Sequence, residues 1–139
     1  MRQLYLILAA ILVAGNAVPE DRTIFVHVPF NNTACLVNTT NYSDAIDLNV
    51  FQPLDFKYSL QLSVTNADTN AAGIATVSYE LSNNNVDYAG SNIVEGITFT
   101  NDAGGKGIYL FDAGKSRYIR FKAVVTETNC WINGWLAIQ

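Results

Sequence analysis

The residues in this chain that could support chemistry are few: one histidine, two cysteines, scattered carboxylates and two short glycine–lysine segments. His27 lies between Val26 and Val28 in an alternating apolar stretch. No serine or cysteine stands at a recognisable spacing from His27 at which the histidine could act as its general base. No carboxylates follow the spacing of a calcium loop, and no pattern favours a glycosidase pair. We therefore interpret His27 as a structural residue and expect a protein that is not an enzyme.

The glycine–lysine segments at residues 101–107 and 114–116 invite comparison with phosphate-binding loops. Such a loop needs a glycine five residues before its Gly-Lys-Ser/Thr triplet, and Tyr109 holds that position before Gly114. After Lys106 the required serine or threonine is replaced by Gly107. We interpret both segments as hairpin turns.

Cys35 and Cys130 are the only cysteines of the chain. In an oxidising compartment two such cysteines commonly pair, and the bond would close a loop of roughly 95 residues, which favours the folded state by about 4–5 kcal/mol. Two buried free thiols are the alternative. With a single histidine the chain lacks the side chains for a four-ligand zinc site, so we predict no metal and no cofactor.

The chain has 139 residues, of which 50% are hydrophobic and 14% charged, with a net charge of −4. This composition suits a single packed domain and argues against a nucleic-acid binder, which needs clustered cations. Five of the eight basic residues nevertheless fall within 17 positions, and Arg120 and Lys122 among them share one face of a predicted strand. This face could bind an acidic neighbour, although a solvated outer face is the favoured interpretation.

The N-terminus has the layout of a secretory signal: Met1-Arg2-Gln3, then the apolar run 4–13, then Ala14-Gly15-Asn16-Ala17. Cleavage after Ala17 would leave a single domain at residues 18–139. A retained anchor, or an arm exchanged between subunits, is the alternative for residues 1–17. Residues 4–18 are then a candidate membrane contact.

The elements that must position these residues are strands, because the dominant period past residue 20 is two. One face of each predicted strand is apolar, and residues that tolerate turn geometry lie between the strands. The pattern predicts an all-β fold, an antiparallel sandwich of about eight strands. We place a jelly roll first and an immunoglobulin-like sandwich second. The predicted inward faces are Ile24, Val26, Val28 and Phe30; Ile46, Leu48 and Val50; Leu60, Leu62 and Val64; Ala75, Val77, Tyr79 and Leu81; Ile119, Phe121, Ala123 and Val125; and Ile132, Leu136 and Ile138.

The last strand is apolar on both faces. Trp131 and Trp135 share one face, and Ile132, Leu136 and Ile138 occupy the other. A strand that is apolar on both sides is usually buried on both sides. In a thin sandwich this pattern predicts a contact between subunits, centred on the two tryptophans.

Residues 75–137 resemble β-sandwich modules of bacteriophage virion proteins in three segments: residues 77–88, with Ser82-Asn83-Asn84-Asn85 before an aromatic Tyr88; residues 107–112; and the Tyr118-Ile119-Arg120 segment of residues 117–122. The resemblance covers less than half of the chain and implies a structural role without catalytic residues. The same pattern occurs in bacterial surface and carbohydrate-binding sandwiches.

These observations together predict a non-enzymatic structural protein of a phage virion, either a capsid, a cement or a spike component, that assembles with copies of itself and with other virion proteins. The alternative is a secreted or cell-surface carbohydrate-binding module in which Trp131, Trp135 and Tyr88 stack on sugar rings. A membrane and glycans are further candidate partners, and nucleic acid is not one.

Overall fold

The computed structural model describes residues 25–48, 57–67, 72–99, 104–113 and 116–138, with the backbone alone for 91–95. The predicted signal peptide or anchor at residues 1–17, the candidate membrane contact at 4–18 and Lys115 lie outside these ranges. None of the described residues forms a helix that could cross a membrane. They form nine strands: β1 (Phe25–Cys35), β2 (Thr40–Tyr42), β3 (Ile46–Asp47), β4 (Tyr58–Asn66), β5 (Gly73–Ser82), β6 (Ala89–Phe99), β7 (Gly105–Phe111), β8 (Tyr118–Thr126) and β9 (Cys130–Ile138).

The strands build two antiparallel sheets. Sheet A has the order β1-β9-β4-β7, and sheet B has the order β2-β8-β5-β6, with β3 also paired to β8. Since β2 and β3 both pair with β8, they act as one interrupted strand. Counted this way, the first of eight strands pairs with the last, the second with the seventh, the third with the sixth and the fourth with the fifth. This is the order of a jelly roll, which confirms the predicted fold and excludes the immunoglobulin-like alternative.

The core lies between the sheets and is filled by the inward side chains of both. Alternation along β4, β5, β8 and β9 correctly predicted these side chains, because a strand turns successive residues to opposite faces. The fully buried members on these four strands are Leu60, Leu62, Val64, Ala75, Val77, Ile119, Phe121, Ala123, Val125, Ile132, Leu136 and Ile138.

The first strand departs from the predicted alternation. Val26, Val28 and Phe30 were expected on one face, but Phe30 is buried while Val26 and Val28 are exposed. The reason is a pair of bulges: the register with β9 shifts between His27 and Phe30 and again between Phe30 and Thr33. Each shift inserts one extra residue into β1 and changes which side chains face the core. Gly134 opposes Phe30, and its lack of a side chain leaves room for the Phe30 ring, which would approach an added Cβ to 3.3 Å.

The turn predicted at residues 101–107 is shorter than expected, because β7 already begins at Gly105. Gly105 is buried, and a Cβ there would collide with the Ile97 side chain and lie 2.5 Å from the Thr98 carbonyl oxygen. The glycine therefore allows the start of β7 to pack closely against the end of β6. This close approach gives the Gly105-Lys106-Gly107 segment a structural role within a strand.

Candidate functional site

The outer face of sheet A carries the largest exposed apolar side chains of the described strands. We call this surface the apolar face and define it by Val26, Ile108, Leu110, Trp131 and Trp135. Their exposed fractions are 59%, 67%, 81%, 38% and 36%, respectively. These residues lie on β1, β7 and β9. Because successive residues of a strand point to opposite faces, the residues next to them in the chain face the core and these five face outward.

The register of sheet A makes this surface continuous across four strands. Trp135 on β9 opposes Gln61 on β4, which in turn opposes Ile108 on β7. One row further, Ala137 lies between Val26 and Ser59, and Ser59 opposes Leu110. A shallow groove of about 380 Å³ follows these rows, lined by Val26, Ser59, Gln61, Ile108, Trp135 and Ala137.

The apolar face is almost without charge. Among the described residues in register on this face, only Lys106 is charged; it opposes Ser63 on β4, which opposes Asn133 on β9. The central strand β4 contributes a polar strip of Ser59, Gln61 and Ser63 between two apolar flanks. A surface of this composition can be covered by another protein without burying a carboxylate.

The described outer face of sheet B carries a paired polar cluster around Arg120. Arg120 donates from Nε and Nη2 to Glu80 Oε2, at 2.8 and 2.6 Å. Its guanidinium carbon also lies 4.4 Å from the Tyr42 ring centroid and 3.8 Å from that of Tyr88. The Tyr88 hydroxyl donates to Asn85 Oδ1 at 2.6 Å. Burial raises the pKa of Tyr88, and the nearby Arg120 charge opposes that rise.

Arg120 and Lys122, the basic pair predicted from the sequence, therefore have different neighbours. Arg120 is held by Glu80 and two tyrosine rings, with 29% of its side chain exposed. Lys122 lies on the same face, in register with Tyr42 and Ser78. Nearby, Arg117 forms an exposed ion pair with Asp47, with 3.1 Å between Nη2 and Oδ2, and this hydrogen-bonded contact raises the pKa of Arg117.

The three aromatic residues proposed as a sugar platform do not lie together. Trp131 and Trp135 lie on the apolar face of sheet A, whereas Tyr88 stacks on Arg120 at the outer face of sheet B. The two tryptophans are four positions apart on β9, which corresponds to about 14 Å along the strand. The two tryptophans thus share a face of sheet A with aliphatic side chains, and Tyr88 lies on the other side of the sandwich.

The two cysteines meet at one end of sheet A. Cys35 ends β1, Cys130 begins β9, and the two are direct partners in the antiparallel register. Both are free thiols, each 1% exposed. The interaction between them lowers the pKa of Cys35, because the Cys130 thiol stabilises the Cys35 thiolate. It raises the pKa of Cys130, because a Cys130 thiolate would lose this hydrogen bond and lie beside the Cys35 thiolate.

His27 lies beside a second shallow groove of about 420 Å³, lined by His27, Val28, Pro29, Asp44, Ala45, Ile46 and Asp47. This lining offers carboxylates but no serine or cysteine that could serve as a nucleophile. Across the described ranges, no group of three or more histidine, cysteine, aspartate or glutamate side chains is placed to hold a metal ion.

Sequence reasoning missed Ile108 and Leu110 as members of the apolar face. The available signal was the run Ile108-Tyr109-Leu110-Phe111, which is apolar on both faces in the same way as the last strand. The partners of Arg120 were also missed. Glu80 lies 40 positions earlier in the chain, so only the pairing of β5 with β8 brings the two side chains together.

No protein-family model matches the sequence, and no curated protein sequence is similar to it. Solved structures of virus particles share its fold. A structure of the Gx strain of infectious bursal disease virus superposes with a TM-score of 0.62 at 9% identity, covering 85% of this chain and 32% of that one. The VP2 subviral particle of infectious bursal disease virus superposes with a TM-score of 0.60 at 9% identity, covering 85% of this chain and 32% of that one. T=1 particles derived from the virus superpose with a TM-score of 0.60 at 10% identity, covering 85% of this chain and 31% of that one.

The chain thus spans about a third of the length of these viral capsid proteins. At such low identity the likeness defines a class by fold alone, the β-sandwich that virus particles also use. These neighbours are viral but are not bacteriophage proteins.

Proposed function

We propose that this chain is a non-enzymatic structural protein of a virus particle that assembles with copies of itself through the apolar face. The observation that carries the proposal is the outer face of sheet A, where a neutral polar strip on β4 lies between exposed apolar flanks on β1, β9 and β7; of the described residues in register on this face, only Lys106 is charged. The jelly-roll order and the fold likeness to virus particles support it.

The size of the apolar face suits a pair of identical surfaces. Four strands spaced about 4.8 Å apart and about seven residues long outline roughly 450 Å² per copy. Two such faces together give roughly 900 Å², just below the roughly 1,000 Å² expected of a stable interface, so the proposed self-contact is weak and depends on concentration. A second copy is therefore large enough to cover this face.

The chemistry of the apolar face also suits a second copy. A two-fold axis along β4 would set the polar strip of Ser59, Gln61 and Ser63 against itself and lay the β7 flank of each copy on the β9 flank of the other. Aliphatic side chains such as Ile108 and Leu110 would then meet Trp135, which is the kind of residue that dominates interface energetics.

The finer assignments are part of the same proposal. Membership of a bacteriophage virion is supported by the resemblance in residues 77–88, 107–112 and 117–122. A capsid, cement or spike role would place the chain in the virion, with residues 1–17 as an export signal, an anchor or an exchanged arm. Other virion proteins would then meet the surfaces that the self-contact leaves open.

The test is the oligomeric state of the full chain across a concentration series, measured by light scattering and analytical ultracentrifugation. Trp135→Glu and Leu110→Lys should weaken self-association at least about tenfold, because each places a charge in an apolar contact. Tyr42→Ala, which removes an exposed aromatic from sheet B, is the matched control and should leave association unchanged. A wild-type chain that stays monomeric at high concentration, or one affected only by Tyr42→Ala, would overturn the proposal.

A glycan array run with the same proteins covers the alternative function. Specific sugar binding that is lost in Trp135→Ala, in a protein that remains monomeric, would favour a secreted or cell-surface carbohydrate-binding module. Under our proposal the array shows no specific binding.

A further inference from the structure

The two cysteines occupy positions that a cross-strand bond requires. Cys35 and Cys130 face each other in the antiparallel register of β1 and β9. Directly opposed residues in such a pair have Cα atoms about 4.5–5.5 Å apart. This separation falls inside the roughly 4.4–6.8 Å over which cysteines bridge without moving the backbone.

Both thiols point into the same enclosed space. Each residue is 1% exposed, and the two are direct partners in the strand register. The backbone on either side is fixed as well. The Val37 N–H donates to Asn129 Oδ1 at 2.8 Å, and the Asn38 N–H donates to the Val125 carbonyl at 3.0 Å. The fold therefore selects each thiol as the other's partner.

We propose that Cys35 and Cys130 form an intramolecular disulfide that joins the edge strand β1 to β9. The oxidant is a disulfide of the glutathione type. The Cys35 thiolate attacks one sulfur of the oxidant, whose S–S bond breaks and releases one thiol. The Cys130 thiolate then attacks the Cys35 sulfur and displaces the second thiol. The two cysteines lose two electrons and two protons, and the oxidant gains them.

The bond would act on an edge strand whose pairing is irregular. Within the described residues, β1 lies at the edge of sheet A and pairs with β9 alone, through a register broken by two bulges. A covalent link at Cys35 holds this strand to its own chain and opposes its exchange with a neighbouring copy. Because the bond closes a loop of roughly 95 residues, it strongly restricts the unfolded chain.

The burial of both thiols sets the order of events. A glutathione-sized oxidant cannot reach a residue that is 1% exposed without a local opening. Oxidation should therefore be fast during folding. In the folded, reduced protein it should be slow, because its rate is limited by the local detachment of β1. The attacking group would be Cys35, whose thiolate is stabilised by the Cys130 thiol.

The test begins with the full chain refolded in a mixture of reduced and oxidised glutathione. We expect no free thiol in denaturant and an intact mass lower by two hydrogen atoms. The melting temperature should lie roughly 10–20 °C above that of the same protein after reduction. Cys35→Ala and Cys130→Ala are matched controls, and the melting temperature of each should be insensitive to reductant.

Three results would overturn the proposal: two free thiols after refolding with excess oxidised glutathione, separate glutathione adducts on the two cysteines, or a bond between two chains. The comparison of oxidised and reduced wild type needs no variant, so it remains informative if either alanine variant fails to fold. The outcome is also independent of self-association through the apolar face, because the bond is measured within one chain.

Discussion

The two outer faces of the sandwich differ in how their large side chains are engaged. On sheet B, Arg120 is bound to Glu80 and lies between two tyrosine rings, so the charge and the aromatic surfaces satisfy each other. On sheet A, Trp135 and Leu110 remain exposed beside neutral neighbours. This difference is why the proposed self-contact is placed on sheet A, which exposes two tryptophans beside aliphatic side chains.

The two sheets differ on their outer faces, whereas their inner faces should contribute equally to stability. Leu62 on sheet A and Phe121 on sheet B are both fully buried. Leu62→Ala and Phe121→Ala should each lower the free energy of unfolding by about 3–5 kcal/mol, because both remove packed atoms and leave a cavity. Chemical denaturation measures both losses, with Leu62→Met as a volume-conserving control. If one alanine variant lost less than about 1 kcal/mol, the two sheets would not share one core.

The paired surface of sheet B should cost stability when it is broken. Glu80→Ala leaves the Arg120 guanidinium without its acceptor beneath two aromatic rings, and 13% of the Glu80 side chain is exposed. We expect a loss of about 1–3 kcal/mol in the free energy of unfolding, since a partly buried charged donor is left unsatisfied.

Glu80→Gln is the control for this prediction, because its side-chain oxygen still accepts a hydrogen bond and its loss should be smaller. Equal losses in Glu80→Ala and Glu80→Gln would show that the ionic charge, rather than the hydrogen bond, dominates this contact.

Alkaline pH should distinguish a phenol beneath sheet A from one on sheet B. Burial, followed by the charge of Asp112, raises the pKa of Tyr58, which is 5% exposed and stacked on Phe111 with 5.6 Å between ring centroids. The unfolded chain then loses the Tyr58 proton first, at a pH of about 10. The free energy of unfolding should therefore be fully retained below this pH and fall as the pH rises through the folded-state pKa.

Denaturation across the alkaline range tests this expectation. Tyr58→Phe should flatten the decline, and Tyr88→Phe should flatten it less, because the surroundings of Tyr88 include the opposing charge of Arg120. A decline that is unchanged in Tyr58→Phe would assign the pH dependence to other groups.

Local alternation carried most of the fold prediction, because the direction of a side chain on a strand depends only on its place in a period of two. It succeeded on β4, β5, β8 and β9 and identified Trp131 and Trp135 as sharing a face. It did not succeed on β1, where the bulges are not encoded in the apolar pattern. Asn32, whose φ of 47° is unusual for a side-chain-bearing residue, lies within the second bulge.

The side-chain partners on the outer faces could not be predicted from local sequence, for a different reason. Arg120 and Lys122 look alike in sequence as two cations on one strand face. Their surroundings differ because β5 brings Glu80 beside Arg120, whereas Ser78 is the β5 residue in register with Lys122. Such contacts depend on the pairing of strands that are distant in the chain, which no single segment specifies.

The smallest expected effect on stability is the loss of the exposed ion pair near sheet B. The Arg117–Asp47 pair is exposed, with side-chain fractions of 49% and 33%, whereas the Arg120–Glu80 pair is held between tyrosine rings. Solvent and salt screen an exposed pair, so Arg117→Ala should leave the denaturation midpoint close to that of wild type, and added salt should remove any remaining difference. Arg120→Ala should shift the midpoint clearly in the same buffers. Arg117 also lies over a ring, 4.9 Å from the Tyr118 centroid, so the two pairs differ mainly in exposure. A shift in Arg117→Ala as large as that in Arg120→Ala would contradict the expectation that the less exposed pair contributes more.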